Sequence, residues 1–118
     1  MVFLGGGLGS VVRFWLSMKL NNFENASPYG TLLANVLGSL IIGIIFGYSA
    51  RTGFLSENHS LLLATGFCGG FTTFSTFAYE NHIYLKGGDY FGFLPYMIIT
   101  FILAISAVFL GMYISKFI

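Results

Sequence analysis

The chain has 118 residues, of which 56% are hydrophobic and 8% charged, with a net charge of +1. An ordinary soluble domain is about 25% charged, and one small core could not take this much apolar surface out of water, so the composition excludes a water-soluble fold and points to lipid. The near-zero charge offers no field for nucleic acid, and the lone Cys68, inside an apolar run, permits neither an intrachain disulfide nor a thiolate metal cluster.

Four apolar runs reach the roughly 20 residues that a spanning helix needs. The first covers 2–20. It starts almost at Met1 without a basic leader or a small-residue cleavage site, so a removable signal peptide is not expected. Within it, Arg13 follows Gly9 by one turn and precedes Lys19 by about two. An arginine at the bilayer centre costs about 2.5–3.5 kcal/mol, so Arg13 either snorkels to the interface or forms an anion-attracting vestibule.

The second run, 30–50, places the amide of Asn35 in hydrocarbon, where it must find partners. Its N–H donors suit an anion, or they bond a neighbouring helix. Asn35, Ser39, Gly43 and Gly47 recur every fourth residue, a row that lets another helix approach closely.

The third run, 60–85, contains Gly66-Phe-Cys-Gly-Gly-Phe-Thr-Thr-Phe-Ser-Thr-Phe77. Gly66, Gly69 and Gly70 each weaken a helix by about 1 kcal/mol relative to alanine, and Thr72 and Thr73 can hydrogen-bond backbone groups that a break would free. A helix broken near the bilayer centre would expose carbonyl oxygens, and two chains on a two-fold axis would offer four of them to a small cation such as Na⁺. The other reading of the glycines is close helix packing alone. Phe74 and Phe77 share a helix face, with Ser75 and Thr76 beside them. The positive edge of a phenyl ring can meet a dehydrated anion without the tight grip of a buried cation, as throughput requires. Glu80 ends the polar face of this run; with His82 it suggests an acid–base pair, but residues two apart on a helix point apart, and no enzyme constellation is present.

The fourth run, 94–117, carries Tyr96, Thr100 and Ser106. Pro28 and Pro95 sit where helices are expected to begin, and Tyr29, Tyr48, Tyr84, Tyr90, Tyr96 and Tyr113 fall near helix ends, at headgroup depth. Lysine and arginine in short loops normally set orientation. Here Arg51 and Lys116 share one side and Lys19 and Lys86 the other, a tie once Arg13 is set aside. Either something else sets the topology, or the chain inserts both ways and pairs as an antiparallel dimer with a two-fold axis in the membrane plane; the second is preferred, because four thin helices make a poor pore alone.

Gly9 with Arg13, Gly30-Thr31 with Asn35 and Gly38-Ser39, and the Gly66 to Phe77 run with Glu80 together resemble the Fluc (CrcB) family of bacterial fluoride channels over the whole chain. The resemblance implies an all-α integral membrane protein with four spans, working as a dual-topology dimer of identical chains in the bacterial inner membrane and exporting fluoride passively. It implies a structural Na⁺ at the dimer centre on main-chain oxygens of Gly69 and Thr72. It also implies a fluoride pathway lined by Asn35, Phe74 and Phe77, with Ser75, Thr76, Tyr96 and Thr100 as a polar track and Arg13 and Glu80 at the polar ends. Ala104 stands where a further small hydroxyl of that track is expected, and Ser106 lies on the opposite side of the helix. The rival reading is a dual-topology, proton-coupled exporter of organic cations, which needs a membrane-buried carboxylate; only Glu80, near a span end, offers one.

Overall fold

The computed structural model describes residues 1–22, 27–53 and 56–118. Helix α1 (Val2–Leu20) leads into a short antiparallel pairing of Asn21–Asn22 with Ser27–Pro28, and α2 (Tyr29–Thr52) follows with Pro28 as its N-cap. The third segment opens with one turn, α3 (Glu57–Ser60), continues as a π-helical stretch, π1 (Leu61–Cys68), and ends its first half in α4 (Gly69–Phe71). Thr72 and Thr73 are then extended, with ψ of 155° and 125°, before α5 (Phe74–Lys86) resumes. The anticipated break is therefore present. Helix α6 (Tyr90–Ser115) completes the chain.

Among the described residues, Tyr29–Thr52, Leu61–Lys86 and Tyr90–Ser115 are long and apolar enough to cross a membrane. Helix α1, with 19 residues, contains four glycines, Arg13 and Lys19 and is less apolar than these three. Large apolar side chains such as Phe3, Phe14, Phe91 and Phe109 face outward, the pattern of a protein solvated by lipid.

Helix α6 begins at Tyr90, so Pro95 lies inside its first turns instead of at its start. Asp89 sets the earlier start by accepting a hydrogen bond from the Gly92 N–H at 2.9 Å. The proline ring then denies a donor only to the Phe91 carbonyl, on a residue that is 94% exposed.

Two parallel helix pairs make up the fold, each seamed by glycine. Side chains at Gly43 and Gly47 would collide with Val108 and with Met112 and Ser115, and one at Gly111 would strike Leu40 and Ile44, so α2 and α6 run in the same direction with their backbones in contact. Along the other seam Gly5 abuts Leu62, Gly66 and Phe67, Gly9 abuts Phe67 and Phe71, and Gly70 meets Gly6. Alternate spans of a four-span chain must cross in the same direction, and both pairs meet that requirement. The ends also group as the charge count assumed: Arg51 donates from Nη2 to the Ser115 carbonyl at 3.0 Å, joining the carboxyl ends of α2 and α6.

Candidate functional site

A break in a helix frees backbone groups, and in hydrocarbon each must be paired. The partners here come from two other helices. Asn35 of α2 spans Thr73 with both ends of its amide: Nδ2 donates to the Thr73 carbonyl at 3.1 Å, and Oδ1 accepts from the Thr73 N–H at 2.8 Å. Gly38, one turn on, makes this approach possible, since any Cβ there would run into the Thr72 methyl group. From α1, the Arg13 Nε donates to the Gly70 carbonyl at 3.1 Å and the Ser10 hydroxyl reaches the same oxygen at 3.5 Å. Arg13 thus turns inward onto the break and does not snorkel.

Thr72 folds back on the preceding turn, with its N–H and its hydroxyl both donating to the Cys68 carbonyl at 2.9 and 2.8 Å. The Thr73 hydroxyl caps α5 by accepting from the Thr76 N–H at 3.3 Å, and it lies 3.1 Å from the Ser75 hydroxyl. Four carbonyls, those of Gly69, Gly70, Phe71 and Thr72, consequently lose the donor that a continuous helix would give them, and Arg13 replaces it at Gly70. The Thr73 N–H, due to Gly69, goes to Asn35, and the Thr76 N–H, due to Thr72, goes to Thr73. Gly69 is exposed and Thr72 half-buried on the face of this chain. Among the described residues no three His, Cys, Asp or Glu side chains cluster.

Beside the break an open groove of about 370 Å³ runs between α2, α5 and α6, lined by Asn35, Thr72, Thr73, Phe74, Phe77 and Thr100 among others. No charged side chain lines it. Phe77 is buried, its ring centroid 5.7 Å from Phe74, 5.0 Å from Tyr96 and 5.9 Å edge-on from Phe101, whereas Phe74 is 69% exposed at the mouth. Thr100 is buried with its hydroxyl unpartnered. Asn35 spends one of its two amide hydrogens on Thr73, which leaves the other for a ligand.

Glu80 forms a second polar cluster, where its two carboxylate oxygens accept from the Thr31 hydroxyl at 3.0 Å and the Tyr96 hydroxyl at 2.8 Å. Ser75 is exposed, Thr76 half-buried, and neither lines the groove. The sequence reading therefore has Asn35, Phe74, Phe77, Thr72 and Thr100 in one place, Glu80 with Tyr96 in another, and Arg13 on the far side of the break. Ser10, Phe101 and Asn81 join these without having stood out in the sequence, the last buried with Oδ1 unpartnered. Ser10 was detectable, since it precedes Arg13 by three residues and shares its face; Phe101 and Asn81 carry no signal beyond their neighbours.

The family model described as CrcB-like protein, Camphor Resistance (CrcB), matches residues 1–112. A protein of Gloeothece citriformis named fluoride-specific ion channel FluC is 44% identical over 98% of this chain and 94% of its own length. A Leptospira interrogans protein of the same name is 42% identical over 98% and 92%, and one from Campylobacter lari is 43% identical over 95% and 92%. These matches take in the break, both glycine seams and the groove, and the chain belongs to the CrcB family.

Proposed function

We infer that this protein is a fluoride channel that lets the ion leave the bacterial cytoplasm passively through the inner membrane. The observation that carries the reading is near-full-length identity to relatives named as fluoride-specific channels. The groove supports it, being uncharged and lined with phenyl rings, a spare amide N–H and an unpaired hydroxyl. Fluoride must give up a tightly held hydration shell to move, and these groups replace it weakly enough for the ion to leave again. Asn35 and Thr100 donate, Phe74 and Phe77 present ring edges, Ser75, Thr76 and Tyr96 extend the polar track, and Glu80 marks one end. No covalent chemistry is involved; the protein is not an enzyme.

The working unit in this reading is four spans, α1 included, paired with an inverted second copy. The groove is open on one side and Phe74 stands exposed at its mouth, so a partner closes the wall. Inversion brings two breaks together on the two-fold axis. The Gly69 and Thr72 oxygens of each chain, left without helical donors, would then hold Na⁺, which supplies positive charge that fixes the dimer centre. The cation-exporter reading is not favoured, because its one candidate carboxylate is engaged by Thr31 and Tyr96.

Purified protein in liposomes loaded with fluoride tests the proposal. Efflux followed by electrode should be rapid, chloride efflux should stay at the level of empty vesicles, and an imposed pH gradient should not drive transport. Fluoride efflux no faster than from empty vesicles would refute it.

A further inference from the structure

We propose that Arg13 is a positioning residue that holds the broken third segment through its hydrogen bond to Gly70, and that it acts as a donor and not as a charge that attracts the ion. The proposal rests on the fluoride reading for its functional half. A continuous helix would pair the Gly70 carbonyl with the Phe74 N–H, and the extended Thr72 and Thr73 remove that possibility. The Arg13 Nε and the Ser10 hydroxyl both aim at this oxygen, at 3.1 and 3.5 Å. They come from the face of α1 that Gly9 presses against Phe67 and Phe71, while Gly70 itself abuts Gly6, so backbone contact on either side fixes their reach.

The consequence is a division of labour among the freed carbonyls. Gly70 is occupied from α1, and among the described residues no side chain from α1 is bonded to Gly69, Phe71 or Thr72. Asn35 fixes Thr73 from α2. The break is thus clamped from two helices at adjacent points, and releasing either clamp lets residues 70–73 slide back toward helix and move Phe74 with them. Arg13 lines neither the groove nor the Glu80 cluster, so its effect on the ion passes through the backbone.

Side-chain length separates donor from charge. The donating atom is Nε, and the amide nitrogen of glutamine stands the same number of bonds from Cα, so Arg13→Gln keeps the donor and removes the charge. Arg13→Met keeps the length and removes both, and Arg13→Lys keeps the charge with its nitrogen one bond further out. Fluoride efflux from liposomes should stay within about threefold of wild type for Gln and fall about tenfold or more for Met. The ratio of Gln to wild-type efflux should be the same at about 0.01 M and about 0.15 M salt, between which the screening length shrinks from about 30 to 8 Å. Amide hydrogen exchange over residues 69–74 should speed up in Met and not in Gln. Equal losses in Gln and Met with recovery in Lys, or a Gln deficit confined to low salt, would overturn the proposal. If the Met variant is not monodisperse, the order of Gln and Lys decides, with Lys at or above Gln refuting the donor role. Absence of efflux in wild type would sink the fluoride reading alone, and exchange over residues 69–74 would still decide the clamp.

Discussion

The two glycine seams use one device for different ends. Between α2 and α6, Gly43, Gly47 and Gly111 bring the two backbones close along two continuous helices. Between α1 and the third segment, Gly5, Gly9, Gly66 and Gly70 give a contact of the same kind, but one helix is broken at Thr72 and Thr73, and side chains from neighbours pair what the break frees. Glycine rows determine how near two helices come. Whether the near contact is inert or functional depends on which polar side chains stand one turn away from it.

The largest effect is expected where the inert seam is overfilled. Gly43→Leu would drive a side chain into the Val108 backbone and should cost about 3 kcal/mol or more, read as loss of monodisperse protein in detergent. Gly7→Leu, at a position with open space around it, should leave the elution profile unchanged. If both variants behave alike, the seam is not what holds α2 to α6.

Next comes the polar side of the comparison. Asn35→Ala removes the acceptor of the Thr73 N–H and one donor to the Thr73 carbonyl, and a buried group left unpaired costs about 1–3 kcal/mol. Fluoride efflux should drop about a hundredfold while the protein remains folded, with faster amide exchange at Thr73. Unchanged efflux would remove Asn35 from both the clamp and the pathway.

Phe74→Ile should reduce efflux about tenfold, the scale of one lost transition-state contact, with little change in thermal stability because the ring is exposed on the single chain. A shift in melting temperature without a change in efflux would make Phe74 a packing residue.

The smallest expected effect is at Thr100. Replacing its unpartnered hydroxyl by the isosteric valine leaves no donor behind, so stability should hold or rise slightly. Efflux should fall about threefold, since one of several weak ligands is gone. Full efflux in Thr100→Val would take that hydroxyl off the track.

Much of this architecture was legible in the sequence because lipid simplifies the code: length and apolarity alone outline the long segments, and a Gly- and Thr-rich stretch at mid-span is costly unless a break or a close neighbour uses it. Both uses occur, and they divide by residue. Gly66 and Gly70 serve packing against α1, and Thr72 and Thr73 carry the extended backbone. One sequence could not separate them, because a glycine shows that contact is possible without showing with what. The same limit applied to Arg13, whose partner is a carbonyl 57 residues away that every residue possesses. Pro95 misled for a local reason: a proline can begin a helix or sit inside its first turns, and Asp89 decided between them.

The two clamps on the break have a consequence for the order of biosynthesis. Arg13 and Asn35 both precede residues 70–73 in the chain, and a growing polypeptide delivers its amino-terminal parts first, at about 5–20 residues per second. Both donors are therefore already in place when the ribosome releases the segment that needs them. A permuted gene that places the third segment first would ask the membrane to shelter unpaired peptide groups until their partners were made.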